Sequence, residues 1–398
     1  MSQSWIGPAR YLFIPLIVEN TAGFFPPPAD YRDLVRSRVY FDPDPLTNED
    51  RSLTSYINSI SNGRALLSAA VAKPVTLSHI TGDDNATLLA INAHPTAHLY
   101  EYLAVVYPSN MVGAGSGMAQ GGKIDFDPPR TPNRTKARCR FLHDAPIGVW
   151  AMEVLHNVTK IGDYYNGFLR LHRFEEMDAS AATHPCAYTK LEAGWLDAEK
   201  VPEHVGSAQR YVLHAIGLTH PAPPGRVAGV RVRTSESGRY LFVEARLESD
   251  RWDRGFSGSQ GIPSSGVIVY EFAPQSDAWP RPNPGPWPPL QLRTPVALTV
   301  NQSFTHQDAE VEATVTVISE TPAGFVVEIA SAGFVYVPYV VELPANVAGQ
   351  EILAAGLIPE FVGQQGPQAV VVEQDPEGGT QVKIGTKVTL MIRDVVIL

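Results

Sequence analysis

The sequence predicts a mixed α+β fold divided among several domains. Its 398 residues are enough for about two to three average domains and can bury at least one sizeable core. Hydrophobic residues make up 44% and charged residues 18%, a composition typical of globular proteins. Helix-like and strand-like patterns mix before residue 200, and alternating strand patterns dominate after it.

The first 200 residues are predicted to form one α/β unit. Its strands are predicted at residues 10–19, 64–77 and 99–107. A helix is predicted over residues 50–63, with Asn48 or Thr47 as its cap. The Gly-rich segment 113–122 is predicted to be a flexible loop, and it lacks the Lys-Ser/Thr that follows a phosphate-binding loop. No nucleotide site is therefore predicted there.

Residues 201–334 are predicted to form a β-rich, sandwich-like domain. Apolar and polar residues alternate at 240–246 and 310–317, and strands are also predicted at 296–300. Residues 280–289 contain six prolines, which cannot join a central strand. This segment is therefore predicted to be an extended connector.

Residues 335–398 form a last unit with a pattern of its own. A helix-like stretch at 348–356 ends in Gly356, a turn contains Pro376, and residues 382–390 alternate as in a sheet. This order resembles a PASTA domain, a small module with one helix on a three-stranded sheet. Tandem PASTA units in other proteins are associated with peptidoglycan or β-lactam binding. The resemblance implies either peptidoglycan binding or a docking and assembly role.

Composition excludes several classes of function. The formal net charge of −10 has the wrong sign for neutralising phosphates, so nucleic acid is not a predicted partner. The longest apolar run near the start has eight residues, too few to span a membrane. The chain opens without the pattern of a secretory leader, which by default predicts a cytoplasmic location. Cys139 and Cys186 are predicted to be reduced structural thiols, with one disulfide as the alternative.

One predicted helix, residues 147–158, carries the most informative chemistry. Met152 and His156 lie one turn apart, with Glu153 beside them. This is the spacing of His-Glu-x-x-His, in which two histidines bind Zn²⁺ and the glutamate acts as general base. Methionine takes the first ligand position here, and a thioether suits Cu(I) far better than Zn²⁺. By itself the pattern more often indicates a core helix with one satisfied histidine.

The surrounding residues add to this pattern. Residues 147–165 are followed by 174–178, which include Met177, and then by residues 184–196. This series resembles the immune inhibitor A family of secreted bacterial metallopeptidases. In that family the zinc helix is followed by Asp-x-Tyr, a Met-containing turn and Ala-x-x-Lys-x-x-x-Gly-Trp. The resemblance covers roughly residues 8–330 and implies a zincin-like peptidase domain over residues 1–200.

The resemblance implies a role for each matching residue. Glu153 takes the general-base position, His156 the second metal-ligand position and Met177 the turn beneath the metal. The first ligand is lost at Met152, and Asp163 is shifted by one place. Catalytic zinc needs three protein ligands, so a working site would need a different set. The candidates for that set, besides His156, are Asp163, His172, Glu175 and His184.

These patterns lead to one main hypothesis and two alternatives. The main hypothesis is a metallopeptidase-like protein that has lost zinc-dependent proteolysis and needs no cofactor. It would act as a binding or structural component, with a protein partner or by self-assembly. The first alternative is an active zinc endopeptidase with a rewired ligand set. The second alternative is a peptidoglycan-binding protein that acts through the PASTA-like tail.

Overall fold

A computed structural model gives a mixed α+β fold that is rich in β-structure, as predicted. The described residues form four sheets, and none of their helices is long and apolar enough to cross a membrane. The structure describes residues 2–19, 29–79, 83–108, 117–121, 124–127, 129–130, 135–164, 170–204, 208–218, 222–234, 239–272, 290–308, 311–363, 366 and 368–394.

A largely parallel sheet lies at the centre of the first 200 residues. The elements of this unit are the strands β1 (Gly7–Val18), β2 (Ala65–Val71), β3 (Val75–Leu77), β4 (Tyr102–Tyr107), β5 (Gly117–Gln120) and β6 (Ala137–Leu142), and the helices α1 (Tyr31–Tyr40), α2 (Leu53–Ile60), α3 (Asp83–Ala93), α4 (Ile147–Thr159), α5 (Glu176–Ala179) and α6 (Ala187–Glu192). The strand order is β2-β1-β4-β6-β5, with β3 beside β1, and only β5 is antiparallel. Strand β1 is apolar on both faces because α1, α2 and α4 cover one face and α3 the other.

Two local expectations in this unit are wrong. Helix α2 is capped by the Ser52 side chain, not by Asn48 or Thr47, because the Ser52 hydroxyl accepts a backbone hydrogen bond in the first turn. The segment 113–122 is not a loop throughout, since part of it is strand β5. Residues 113–116 and 122 lie outside the described residues.

Two mainly antiparallel sheets follow and pack face to face. Their elements are β7 (Glu203–His204), β8 (Gln209–His214), β9 (Gly229–Arg233), β10 (Tyr240–Arg246), α7 (Arg251–Arg254), β11 (Gly266–Phe272), β12 (Leu290–Leu292), β13 (Ser303–Gln307), β14 (Val311–Thr321) and β15 (Gly324–Tyr336). One sheet has the order β12-β11-β10-β9-β7, and the other has β13-β14-β15 with β8 beside β15. The predicted strand at 296–300 is wrong, because that segment makes only an isolated bridge at Leu298. The connector predicted at 280–289 lies outside the described residues.

The sheet built on β10 is covered on both faces. Leu241 and Val243 face the second sheet, whereas Phe242 packs into the core of the α/β unit. Glu244 and Arg246 share the face of Phe242 and are fully buried. The sheet built on β10 therefore lies between the α/β unit and the second sheet, and Glu244 and Arg246 lie on its side toward the α/β unit.

Strand β15 continues without a break into the last unit. The further elements are α8 (Ala345–Ala354), β16 (Ile358–Gly363), β17 (Ala369–Asp375), β18 (Gln381–Lys383) and β19 (Lys387–Asp394). Strands β16, β19 and β17 form a three-stranded sheet over a core of its own, and β18 pairs with the end of β15. Gly356, with φ +74°, follows the end of α8. The boundary predicted at residue 335 lies inside β15, and the division into three domains stays a prediction.

Candidate functional site

Packing on the parallel sheet fixes the position of helix α4. The ring of Trp150 stacks on Phe141 of β6 with centroids 4.2 Å apart, and its indole N–H donates to the carbonyl of Leu142. The helix ends at Lys160, which adopts the left-handed conformation with φ +63°. The turn at Lys160 directs the following residues back along the face that carries His156.

His156 uses both of its ring nitrogens within the protein. Nδ1 lies 2.6 Å from the carbonyl oxygen of Ile161, and Nε2 lies 2.8 Å from Oδ1 of Asp163. Both partners are acceptors, so a ring that donates to both must be the protonated imidazolium. Burial lowers the pKa of His156, but the hydrogen bond and charge of Asp163 outweigh it, so the net shift is upward.

A main-chain hydrogen bond holds the segment that carries Asp163 beside His156. The N–H of Tyr164 donates to the carbonyl of Met177 over 2.8 Å. This bond joins the segment after α4 to helix α5, in which Met177 is fully buried. Asp163 is therefore a partner of His156, and an imidazolium has no lone pair to offer a metal.

Met152, at the position of the first histidine in the His-Glu-x-x-His pattern, is packed inside the protein. The sulfur of Met152 accepts a hydrogen bond from the Ser180 hydroxyl over 2.7 Å. Met152 is only 4% exposed and belongs to the same hydrophobic cluster as Met177. The Met152 side chain is therefore part of the core of this unit.

Glu153 lies against the edge strand β5. A Cβ atom at Gly117 would lie 2.7 Å from Glu153 Oε1, so only glycine permits this close approach. Burial is the main cause that raises the pKa of Glu153 to about 7, and Asp163 adds to it, whereas His156 and Arg140 oppose it. At neutral pH a large fraction of this carboxyl group is therefore protonated.

The other candidate ligands have separate roles. Glu175 accepts hydrogen bonds from the N–H groups of Met177 and Cys186 and from a threonine hydroxyl. His172 has an exposed side chain, and His184 is fully buried in a different cluster. Within the described ranges no group of three His, Cys, Asp or Glu side chains could hold a metal ion. These donors do not fit a zinc centre with three protein ligands.

Arg246 lies at the centre of a buried network of charged side chains that the sequence did not predict. The guanidinium of Arg246 donates to the carbonyls of Phe174 and His184 over 2.7 and 2.9 Å, and to Asp253 over 2.9 Å. It also lies 3.4 Å from Glu244. In the sequence, charged and apolar residues alternate along β10. This pattern did not indicate a buried network, because it is also typical of a strand with one face in solvent.

His184 and Lys190 extend this network. His184 Nε2 lies 2.8 Å from Asp250, and Nδ1 lies 3.2 Å from the amine of Lys190, which also donates to the carbonyl of Ile216. Burial lowers the pKa of Lys190 to about 8, although neighbouring Asp253 opposes the shift. His184 thus links two charged side chains and is not positioned beside His156 as a ligand.

Both cysteines are buried and free, as expected for two reduced structural thiols. Burial raises the pKa of Cys139 and of Cys186 well above the ordinary value. Such thiols are rarely ionised at neutral pH, so neither is a reactive nucleophile.

The His156–Asp163 pair leads to a first prediction. In Asp163→Asn, the pKa of His156 is expected to fall, because burial, which lowers it, is then no longer opposed by the charge of Asp163. The pKa is measured by NMR titration of the imidazole. Asp308→Asn is the matched control, since Asp308, directly after β13, pairs with His306 over 3.1 Å. An unchanged His156 titration in Asp163→Asn would contradict the assignment.

Comparison with known proteins identifies the last unit. The search of curated proteins finds no match to the chain. Residues 335–394 match the profile of the PASTA domain family. This range contains helix α8 and the sheet β16-β19-β17. Residues 335–394 are therefore a PASTA domain.

Proposed function

We propose that residues 1–200 form a metallopeptidase-like unit that has lost zinc-dependent proteolysis, and that the chain acts as a protein-binding or assembly component. One observation carries this proposal: both ring nitrogens of His156 are hydrogen-bonded to Ile161 and Asp163. Met152, which stands in the other ligand position, is packed in the core. Such a helix has a structural role, because it leaves no ring nitrogen free to bind a metal ion.

The position of Glu153 supports a role in binding. Strand β5 is at the end of the described sheet and is paired on one side, with β6. Edge strands present N–H and C=O groups to which an extended polypeptide can add. Glu153 lies directly beside this strand at Gly117. A segment held there would meet a carboxyl group without a metal-bound water and would be bound, not cleaved.

The test measures bound zinc and proteolysis in the full chain. After exposure to zinc and dialysis, we expect less than one zinc per chain and no cleavage of an unfolded protein substrate beyond that of Glu153→Gln. Met152→His restores the missing imidazole and is expected to increase the zinc content. Met391→His is the matched control, because it adds one histidine at a 45% exposed methionine outside this unit.

The opposite result would support the active alternative. One zinc per wild-type chain, together with cleavage that Glu153→Gln abolishes, would contradict the loss of proteolysis. The ligands would then be sought among His156 and the rewired set, Asp163, His172, Glu175 and His184. A loss of existing activity in Met152→His would point the same way.

A second candidate function is peptidoglycan binding, which the PASTA match favours. The full chain is then expected to sediment with purified peptidoglycan in a saturable manner, and not with cellulose. Equal sedimentation with both polymers, or with neither, would contradict this function. Fold by itself does not decide the ligand.

A further inference from the structure

The PASTA domain exposes two aromatic rings next to two fully inserted valines. Tyr336 and Tyr339 are 64% and 71% exposed, whereas Val337 and Val340 are 2% and 0% exposed. The chain thus directs its aliphatic side chains into the core and leaves its aromatic side chains in solvent. Tyrosine combines an apolar ring with a polar hydroxyl and is enriched at interaction surfaces.

The ring of Tyr339 is held on a rigid backbone. The Gln374 side chain accepts the N–H of Val340 over 2.8 Å and donates to the carbonyl of Pro338 over 3.0 Å. The ring lies over Gly378, where a Cβ atom would be 2.9 Å from Tyr339 Cδ2. A ring positioned before binding loses little conformational freedom when a partner arrives.

The stretch of chain that carries these tyrosines contains charges of one sign. Residues 335–380 contain no Lys, Arg or His. They contain six acidic residues, Glu342, Glu351, Glu360, Glu373, Asp375 and Glu377. Asp375 and Glu377 are exposed and lie within three residues of Gly378, the glycine under the Tyr339 ring.

Three basic residues follow in this domain, Lys383, Lys387 and Arg393. Lys383 lies opposite Phe334 of β15, near Tyr336, where it pairs with Glu312, and Lys387 pairs with Glu360. Arg393 lies opposite Val370 on β17, whereas Asp375 lies at the other end of that strand. Five residues of strand separate these two positions, a distance of roughly 16 Å. The carboxylates of Asp375 and Glu377, close to the Tyr339 ring, therefore give that side of the surface a negative charge.

From these observations we infer that Tyr336 and Tyr339, with Asp375 and Glu377, form a docking surface for a polypeptide segment rich in Lys or Arg. The ring faces attract a cationic side chain, and the carboxylates complement its charge. This surface is independent of the proposed loss of proteolysis. It adds a partner of defined chemistry to the PASTA domain.

The test uses the full chain and three soluble probes. These are a labelled peptide of alternating Lys and Gly, its Glu and Gly counterpart, and an N-acetylglucosamine oligomer. We expect the Lys peptide to bind, with an affinity that falls as salt rises, and the Glu peptide not to bind. Tyr339→Ala is expected to weaken this binding about two- to fivefold, and Tyr339→Phe to retain it.

Matched variants separate this surface from general charge attraction. Glu377→Gln is expected to weaken binding of the Lys peptide, whereas Glu320→Gln, an exposed glutamate on β14, should have no effect. Phe41→Ala removes a 60% exposed aromatic ring from the α/β unit and should also leave binding unchanged. The double variant Tyr336→Ala/Tyr339→Ala is expected to lose more affinity than Tyr339→Ala.

Three results would overturn the inference. The first is equal affinity of the double variant and the wild type for the Lys peptide. The second is equal binding of the Lys and Glu peptides. The third is binding of the N-acetylglucosamine oligomer that the double variant loses while Lys-peptide binding stays unchanged. That third result would assign the tyrosines to a glycan and favour the peptidoglycan candidate.

Discussion

Arg246→Met is expected to lower the free energy of unfolding by about 3–5 kcal/mol, the usual effect of removing one partner from a buried ion pair. Arg246 is fully buried and donates to Asp253 and to the carbonyls of Phe174 and His184. Methionine fills much of the space but leaves these acceptors, and the charge of Asp253, without a donor.

The effect is measured from denaturant unfolding of the full chain. Arg254→Met is the control, because Arg254 pairs with Glu49 at side-chain exposures of 48% and 37%. Its effect is expected to be at most about 1 kcal/mol. Similar losses in the two variants would show that the network between the layers contributes no more than a surface pair.

Glu153→Gln is expected to stabilise the protein at pH 8 by about 3 kcal/mol and to have little effect near pH 4.5. The pKa of Glu153 is raised from the ordinary 4.5 to about 7 in the folded state. The folded state therefore holds a proton that the unfolded state has released, and stability falls as pH rises from 4.5 through about 7. Glutamine is neutral at every pH, so it avoids this loss.

Denaturant unfolding at several pH values measures this difference. His156 acts in the same direction, because stability from its raised pKa is lost as pH rises through that pKa. The comparison of variant with wild type largely subtracts this second contribution. Glu320→Gln, at an exposed glutamate of β14, is the control and should not give a comparable stabilisation at pH 8. Parallel pH profiles for Glu153→Gln and the wild type would contradict the raised pKa.

Elements with a strong local pattern could be predicted from the sequence. The helix predicted at 147–158 is α4, Ile147–Thr159, since its apolar periodicity lies within a single segment. The helix and sheet of the PASTA domain follow for the same reason. The predicted cap of α2 and the predicted strand at 296–300 were wrong. Both predictions relied on one residue or on a short alternation, which indicate structure less reliably than a long periodic run.

The site itself depends on contacts that no local pattern contains. Asp163 meets His156 only because Lys160 turns the chain and Tyr164 bonds to Met177. Glu244 has the spacing of a solvent-facing residue but is buried, because α6 lies over that face and the N–H of Ala187 donates to its carboxylate. Tertiary packing, which the sequence pattern does not encode locally, decides both cases.

The unbroken strand β15 has a mechanical consequence. It pairs with β14 and β8 in the second sheet and with β18 in the PASTA domain. A force applied to the PASTA domain therefore acts along a hydrogen-bonded strand and not on a flexible linker. A ligand that holds the PASTA domain would therefore transmit force directly to the second sheet through this strand.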